Sequence, residues 1–238
     1  EAMLAARFVP ALYIEDEPQW VERLLELGTA THVHAPNTEV SQPIAEAKPT
    51  PHNLPIQLTS FIGRKQEIIE IKRLLSEGGI RLLTLTGHGG CGKTRLALQS
   101  ASGLLEEFRD GVWFIELAPL ADSTLVPQVV STVLGLKEEP GRNLLSTLTD
   151  HLRGKKNLLI LDNCEHLIQA CAQVADALLR ACPDVYILAT SREMLGVAGE
   201  HTLLVPCLSM PTDFRGPKDF ESLTQYEAVR LFLERATA

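Results

Sequence analysis

Long apolar runs are absent from this sequence of 238 residues, and aromatic side chains make up only 5% of it. No stretch approaches the ~18 consecutive apolar residues of a membrane-spanning helix, and no secretory signal peptide is visible, so we expect no membrane association. The net charge is −8, without any cluster of lysine and arginine. The surface of this chain therefore gives no electrostatic reason to bind nucleic acid.

Cysteine is also sparse, with Cys91, Cys164, Cys171, Cys182 and Cys207 widely spaced along the chain. None of them forms a C-x-x-C pair, and their odd number argues against a disulfide framework or a zinc site. Reduced thiols in a cytoplasmic protein are the simpler interpretation. The remaining composition, 45% hydrophobic and 22% charged, is typical of a globular domain.

Proline marks the first boundary in the chain. Five prolines stand among small and polar residues between positions 35 and 55, a composition typical of an extended linker. This linker, residues 35–55, separates a short N-terminal segment of unknown role, residues 1–34, from a domain that we expect over residues 56–210.

The pattern changes after that domain, over residues 211–238. Apolar residues recur at helical spacing from position 224 to position 236, and Thr224 and Glu227 are placed as a capping box at the helix start. We expect this region to begin a helical subdomain that the sequence does not complete.

Strands and helices alternate within the domain. Short apolar runs are typical of buried strands, and amphipathic stretches between them are typical of helices. Strands are predicted over residues 81–86, 111–117, 157–162, 185–190 and 201–205. This alternation predicts an α/β fold with a parallel five-stranded sheet that helices cover on both faces.

The most informative motif joins the first strand to a helix predicted over residues 94–108. The Walker A phosphate-loop pattern, G-x-x-x-x-G-K-[ST], is matched by Gly87, His88, Gly89, Gly90, Cys91, Gly92, Lys93 and Thr94. Glycines let the backbone approach a polyphosphate, and the N–H groups at a helix N-terminus suit its charge. We expect Lys93 to reach the β- and γ-phosphates, the Thr94 hydroxyl to bind Mg²⁺, and Arg95 to adjoin the nucleotide.

A carboxylate ends the third predicted strand. Four apolar residues precede Asp162, and a side chain at the carboxyl end of a buried parallel strand points into the ligand crevice. There Asp162 can hold Mg²⁺, directly or through water, as a Walker B residue does. An extra strand between this strand and that of the phosphate loop gives the additional-strand type of P-loop NTPase.

The residue after Asp162 is Asn163, where ATPases of the additional-strand type often keep a glutamate to activate the attacking water. An amide can orient water but cannot accept its proton. Glu165 lies close by in the sequence. It either replaces that base or only supplies a favourable negative charge at the start of the next helix.

An arginine follows the fourth predicted strand. If this strand lies between the other two, its end comes near the γ-phosphate, and Arg192 can sense or stabilise that charge. The alternative is a surface arginine paired with Glu193.

A short motif precedes the first helix of the domain. Phe61, Ile62, Gly63 and Arg64 can form a ledge for an adenine ring, with Arg64 near the phosphates, or they can simply start a helix.

Together these motifs resemble the STAND class of signalling P-loop ATPases, the NB-ARC-like group found in large bacterial regulators of the LuxR and SARP types. The similarity covers residues 53–238, and it rests on the strings 53–55, 59–64, 84–97, 161–166, 189–193 and 228–232. The resemblance implies an ATP/ADP switch that controls self-association, with residues 61–64 beside the base and Arg192 reading the γ-phosphate. It also implies partner domains in the same longer protein, namely a DNA-binding or cyclase effector and a helical repeat sensor.

Two other classes of function stay open at this point. An ordinary P-loop enzyme, such as a kinase or a remodelling ATPase, would need an acceptor pocket or a pore loop, and the sequence contains neither signature. A GTPase is disfavoured because the guanine-reading string Asn-Lys-x-Asp does not occur. A module that keeps nucleotide without hydrolysing it is compatible with Asn163.

Overall fold

The computed structural model describes residues 49–137, 141–211 and 220–237. The chain divides into two compact units, Glu1–Lys48 and Pro49–Ala238, and every described residue belongs to the second. The expected N-terminal segment, 1–34, and the linker up to residue 48 therefore lie outside the described residues.

The described part forms a parallel five-stranded sheet with the strand order β2-β3-β4-β1-β5. The strands are β1 (Leu82–Thr86), β2 (Gly111–Glu116), β3 (Asn157–Asp162), β4 (Val185–Thr190) and β5 (Glu200–Leu204). The β4 strand lies between β1 and β3, so the additional strand is where the sequence predicted it. The predicted α/β fold is confirmed.

Seven α-helices accompany the sheet within the described residues. They are α1 (Lys65–Ser76), α2 (Lys93–Ser102), α3 (Val126–Val133), α4 (Leu144–Leu152), α5 (Ile168–Ala181), α6 (Phe220–Thr224) and α7 (Glu227–Thr237), with 3₁₀ turns at Ser123–Leu125 and Cys164–His166. No helix in this part of the chain has the length and apolar character that a membrane crossing requires.

The core lies on both faces of the sheet. Successive residues of a strand point to opposite faces. Leu83 and Ile160 accordingly pack in one cluster with α1 and α2, whereas Leu82 and Leu159 pack in another with α3, α4 and α5. All six residues of β3 are buried, which explains why the sequence of that strand is almost continuously apolar.

The chain that precedes α1 runs beside the outer edge of β2. The Val112 N–H donates to the Pro51 carbonyl over 3.0 Å. The Asn53 amide donates to the Phe114 carbonyl over 2.8 Å and accepts from the Phe114 N–H over 2.6 Å. These bonds satisfy backbone groups that a sheet edge leaves unpaired. The last residues of the segment 35–55 thus pack on the domain and not as a free linker.

Two helix boundaries differ from the sequence expectation. The helix after the phosphate loop ends at Ser102 instead of residue 108, because Gly103 closes it and the chain continues in turns. The Thr224 capping box is also wrong: Thr224 ends α6, and α7 begins only at Glu227. The first difference arises because a glycine weakens a helix interior. The second arises because Glu227 bonds to distant parts of the chain and not to Thr224.

Candidate nucleotide-binding site

Three strand ends meet at the carboxyl edge of the sheet. Leu85 of β1 lies opposite Thr190 of β4, and Leu161 of β3 lies opposite Ala189 of β4. Asp162, the last residue of β3, therefore lies beside the end of β4. The phosphate loop begins at the end of β1, on the opposite side of β4. Such an edge is where ligands bind in open parallel sheets.

The phosphate loop is closed by its own lysine. Lys93 begins α2, is 8% exposed, and donates to the Gly87 and His88 carbonyls, each over 3.0 Å. Gly87 has φ +147°, and a Cβ there would lie 2.7 Å from the Val205 carbonyl oxygen, so only glycine fits. Within the described residues no side chain caps α2 at Gly92, which leaves its N–H groups directed at the loop.

A cavity of about 380 Å³ opens on one side of the loop, within the range of about 300–1,000 Å³ for small-molecule sites. We call it the Arg64 pocket. Its lining residues are Phe61, Ile62, Arg64, Gly89, Gly90, Cys91, Gly92, Arg95, Cys207, Leu208 and Leu231. Phe61, Ile62 and Arg64 of the ledge predicted from the sequence therefore adjoin the loop, whereas Gly63 is not among the lining residues.

Arg64 is buried, with 4% of its surface exposed, and its backbone is left-handed at φ 56°. Its Nη2 donates to the Cys91 carbonyl over 2.6 Å and to the Pro206 carbonyl over 2.7 Å. Its Nη1 has no hydrogen-bond partner among the described residues, although Glu67 Oε1 lies 3.6 Å away. Arg64 thus joins the phosphate loop to the segment after β5.

Arg95 joins α2 to the residues just before the ledge. Its Nη2 donates to the Thr59 and Ser60 carbonyls over 2.8 and 3.1 Å. Its Nε is buried without a hydrogen-bond partner in the described part of the chain. Thr94, between Lys93 and Arg95, is partly buried in the first turn of α2.

Asp162 is held by a residue that the sequence did not single out. The Thr190 hydroxyl donates to Asp162 Oδ1 over 2.6 Å and accepts from the Asn163 N–H over 2.9 Å. Asn163 adopts a left-handed backbone at φ 66°, which asparagine tolerates better than most residues. This bridge fixes the carboxylate and turns the chain sharply after β3. A threonine that ends a buried strand is the signal that sequence reasoning could have used.

Glu165 and Arg192 form an ion pair, with Nε and Oε1 3.2 Å apart. The ion-pair partner of Arg192 is therefore Glu165 and not Glu193, the partner considered from the sequence. Arg192 is 68% exposed, and Glu165 is 17% exposed. The Arg192 Nη2 lies 3.7 Å from the Cβ position of Gly89, so the pair stands at the phosphate loop. The second carboxylate oxygen of Glu165 is buried without a hydrogen-bond partner among the residues described.

The residues present fit a nucleotide and Mg²⁺. Two buried guanidinium nitrogens, Arg64 Nη1 and Arg95 Nε, lack hydrogen-bond partners within the described ranges, and an unsatisfied buried group costs about 1–3 kcal/mol. The N-terminus of α2 is open to an anion. The Asp162 carboxylate and the Thr94 hydroxyl are oxygen ligands, which Mg²⁺ prefers.

This fold, with its phosphate loop between β1 and α2, defines a P-loop NTPase. Residues 77–199 match the family model described as AAA domain. The chain belongs to that family.

Several bacterial proteins are similar to this chain. An uncharacterized protein of Mycobacterium tuberculosis (strain ATCC 25618 / H37Rv) is 43% identical over 185 residues, which are 78% of this chain and 43% of that protein. A putative HTH-type transcriptional regulator of the same strain is 46% identical over 157 residues, or 66% of this chain and 16% of the regulator. The regulatory protein AfsR of Streptomyces griseus is 28% identical over 188 residues, which are 72% of this chain and 19% of AfsR. The chain thus spans less than half the length of these relatives.

Two solved structures are similar at a lower level. One is Cdc6p from Pyrobaculum aerophilum, with a TM-score of 0.46, 16% identity, and coverage of 61% of this chain and 47% of that one. The other is a signal transduction ATPase with numerous domains (STAND) and a tetratricopeptide repeat sensor from Pyrococcus horikoshii, with a TM-score of 0.44, 16% identity, and coverage of 69% and 25%.

Proposed function

We propose that this chain is the ATP/ADP-binding switch module of a larger signalling or transcription-regulating protein of the STAND, NB-ARC-like type. The observation that carries the proposal is the Arg64 pocket, which adjoins a complete phosphate loop and has an apolar ledge at Phe61 and Ile62. An apolar wall suits the flat face of a base, and the loop suits the phosphates that follow it.

The site residues divide into four roles in this proposal. Residues 61–64 and Arg95 surround the base of the nucleotide, and the loop from Gly87 to Thr94 holds its phosphates. Thr94 and Asp162 hold Mg²⁺, which would neutralise phosphate charge when bound. Arg192 reads the γ-phosphate from beside Gly89, in exchange for its contact with Glu165.

Hydrolysis is slow in this proposal. Asn163 stands where a general base is usual, and its backbone N–H is bound to Thr190. Glu165 is the nearby carboxylate with an oxygen that lacks a hydrogen-bond partner in the described residues, and it is our candidate for activating water. If Glu165 proves inactive, the second candidate function is an interaction module that keeps nucleotide without turning it over.

The partners follow from the same proposal. The relatives named as a putative HTH-type transcriptional regulator and as the regulatory protein AfsR are much longer than this chain, which supports an effector domain and a helical repeat sensor in the same longer protein. Nucleotide state would then control the self-association of that protein. Because the net charge of this chain is −8, it is not suited to the phosphates of DNA, and in this proposal another domain makes any contact with DNA.

Nucleotide choice tests the proposal. Titration with Mg²⁺ complexes of ATP, ADP and GTP should show that both adenine nucleotides bind more tightly than GTP, since no guanine-reading string is present. Isothermal titration calorimetry measures the three dissociation constants directly. Equal affinities for ATP and GTP would remove the adenine assignment, and no binding of any of the three would remove the nucleotide site.

A further inference from the structure

The five cysteines of this chain fall into two groups. Three of them, Cys164, Cys171 and Cys182, are buried in the core beside the sheet. Cys91 is partly exposed and Cys207 is exposed, and both line the Arg64 pocket. Thiols buried in a core are inert, whereas accessible thiols can react. The two accessible thiols therefore share the cavity that is proposed to hold the nucleotide.

Two distant segments of the chain bring these thiols to one place. Cys91 belongs to the phosphate loop, and Cys207 lies after β5. One nitrogen of Arg64, Nη2, donates to the Cys91 carbonyl over 2.6 Å and to the Pro206 carbonyl over 2.7 Å. Because a single atom binds both carbonyls, the backbone of Cys91 lies close to the residue that precedes Cys207.

The side chain of Cys91 is directed toward the same segment. Its Sγ lies 3.2 Å from the position of a Cβ on Gly87, and the Val205 carbonyl oxygen lies 2.7 Å from that same position. Cys207 is two residues further along the chain. Residues 206–210 form neither helix nor strand, so the backbone at Cys207 can adjust to the geometry that a disulfide requires.

The surroundings of these thiols are positively charged. Arg64 and Arg95 line the same pocket, and Cys91 directly precedes Gly92, the N-cap residue of α2, where the helix dipole is positive. Reactive cysteines occur in partly exposed, electropositive surroundings of this kind. Disulfides that form in reducing compartments are usually transient and often sense redox state, which suits a pair of accessible thiols at a regulatory site.

We propose that Cys91 and Cys207 are a site of reversible oxidation, and that a disulfide between them closes the Arg64 pocket to nucleotide. A small disulfide is the oxidant. The Cys91 thiolate attacks one of its sulfurs, so that a mixed disulfide forms and one small thiolate leaves. The Cys207 thiolate then attacks the Cys91 sulfur, the bond between the two cysteines forms, and the second small thiolate leaves. The protein thiols are oxidised, and the two small thiolates take up their two protons.

The expected effect on nucleotide binding follows from the position of the bond. A disulfide would fasten the phosphate loop to the segment after β5, across the cavity that both cysteines line beside Gly90 and Gly92. The loop could then no longer move away from that segment to admit a nucleotide. This inference rests on the proposed function because it concerns regulation of the same site, but formation of the disulfide is measured without any nucleotide.

Treatment of the purified chain with glutathione disulfide tests the proposal. Peptide mapping by mass spectrometry should find a cross-link between Cys91 and Cys207 that dithiothreitol reverses. Isothermal titration calorimetry should give a Kd for Mg²⁺-ATP at least ~tenfold higher for the oxidised chain than for the reduced chain. Saturating Mg²⁺-ATP should slow the cross-linking, since the nucleotide and the thiols occupy one cavity.

Cysteine variants assign the effect to this pair. Each variant is compared before and after oxidation, so that its own affinity in the reduced state is the reference. The double variant Cys91→Ser with Cys207→Ser should bind ATP equally well before and after treatment. Cys182→Ala removes a buried thiol instead and is the matched control, which should respond to the oxidant as the wild type does.

The possible outcomes are distinct. Glutathione adducts without a cross-link in the wild type would overturn the pairing of Cys91 with Cys207. A cross-link that leaves the Kd for ATP unchanged, or that forms equally fast with saturating ATP, would overturn the closure of the pocket and leave the nucleotide site unaffected. Absence of ATP binding by the reduced wild-type chain would overturn the proposed function, and the closure with it, whether or not the cross-link forms.

Discussion

Lys93→Ala is expected to abolish nucleotide binding, with Kd for Mg²⁺-ATP at least ~100-fold higher than in the wild type. The change removes a nearly buried cation at the N-terminus of α2, where the phosphates are proposed to lie. Charge-assisted hydrogen bonds contribute about 1.5–3 kcal/mol each, and Lys93 can direct more than one of them to a polyphosphate. Isothermal titration calorimetry on the purified variant measures the loss.

The same lysine also holds the loop together. Lys93 donates to the Gly87 and His88 carbonyls, so the thermal midpoint of the variant must be measured beside its affinity. Lys137→Ala, which removes an exposed lysine far along the chain, is the control for net charge. Retention of wild-type affinity in a folded Lys93→Ala variant would contradict the assignment of the phosphate loop.

Asp162→Asn is expected to weaken nucleotide binding in Mg²⁺ by at least ~tenfold and to change binding in a chelator by less than about twofold. Asparagine has the same shape and can still accept from the Thr190 hydroxyl, so the turn after β3 is retained. What it loses is the charge that is proposed to hold Mg²⁺. Parallel titrations with ATP in Mg²⁺ and in EDTA measure the two effects.

Thr190→Val distinguishes the effect of the Asp162 charge from the effect of the hydrogen bond that positions its carboxylate. The variant keeps the charge of Asp162 but removes the hydroxyl that bonds to Oδ1 and to the Asn163 N–H. We expect a smaller loss of ATP affinity in Mg²⁺ than for Asp162→Asn, together with a lower stability, since the partly buried Asn163 N–H loses its partner. Equal losses for Asp162→Asn with and without Mg²⁺ would mean that Asp162 supports the fold and does not bind the ion.

Much of this site could be predicted from the sequence because its signals are local. The phosphate loop needs glycines at fixed spacing between a strand and a helix. The strand β3, which is buried on both faces, has an almost continuously apolar sequence that ends at Asp162. The parallel sheet and its additional strand follow from the alternation of such runs with amphipathic helices. Each of these inferences uses residues that are neighbours along the chain.

The remainder depends on contacts between distant segments. Glu227 looked like half of a local capping box, but its carboxylate binds the Arg64 N–H, 163 positions away in the sequence. The ion pair of Glu165 with Arg192 likewise requires β3 and β4 to be adjacent. The pairing of Asn53 with Phe114 brings part of an apparent linker into the domain. No periodicity or motif encodes these partners.

The central claim is that the site serves a slow switch and not rapid turnover. A general base contributes typically ~10²–10⁴-fold to a rate, and Asn163 cannot act as one. If Glu165 substitutes for it, Glu165→Gln lowers the rate without changing ATP affinity, whereas Glu193→Gln, at the neighbour of Arg192, leaves both unchanged. If Glu165→Gln leaves a slow rate untouched, the base assignment fails and the switch remains.

Single-turnover hydrolysis of Mg²⁺-ATP, with the protein in excess over nucleotide, tests this claim most directly. We expect tight binding of ATP followed by conversion to ADP at a rate far below the ~10 s⁻¹ of a median enzyme. A single-turnover rate constant of several per second for this chain alone would contradict the slow-switch claim and identify an ordinary ATPase instead.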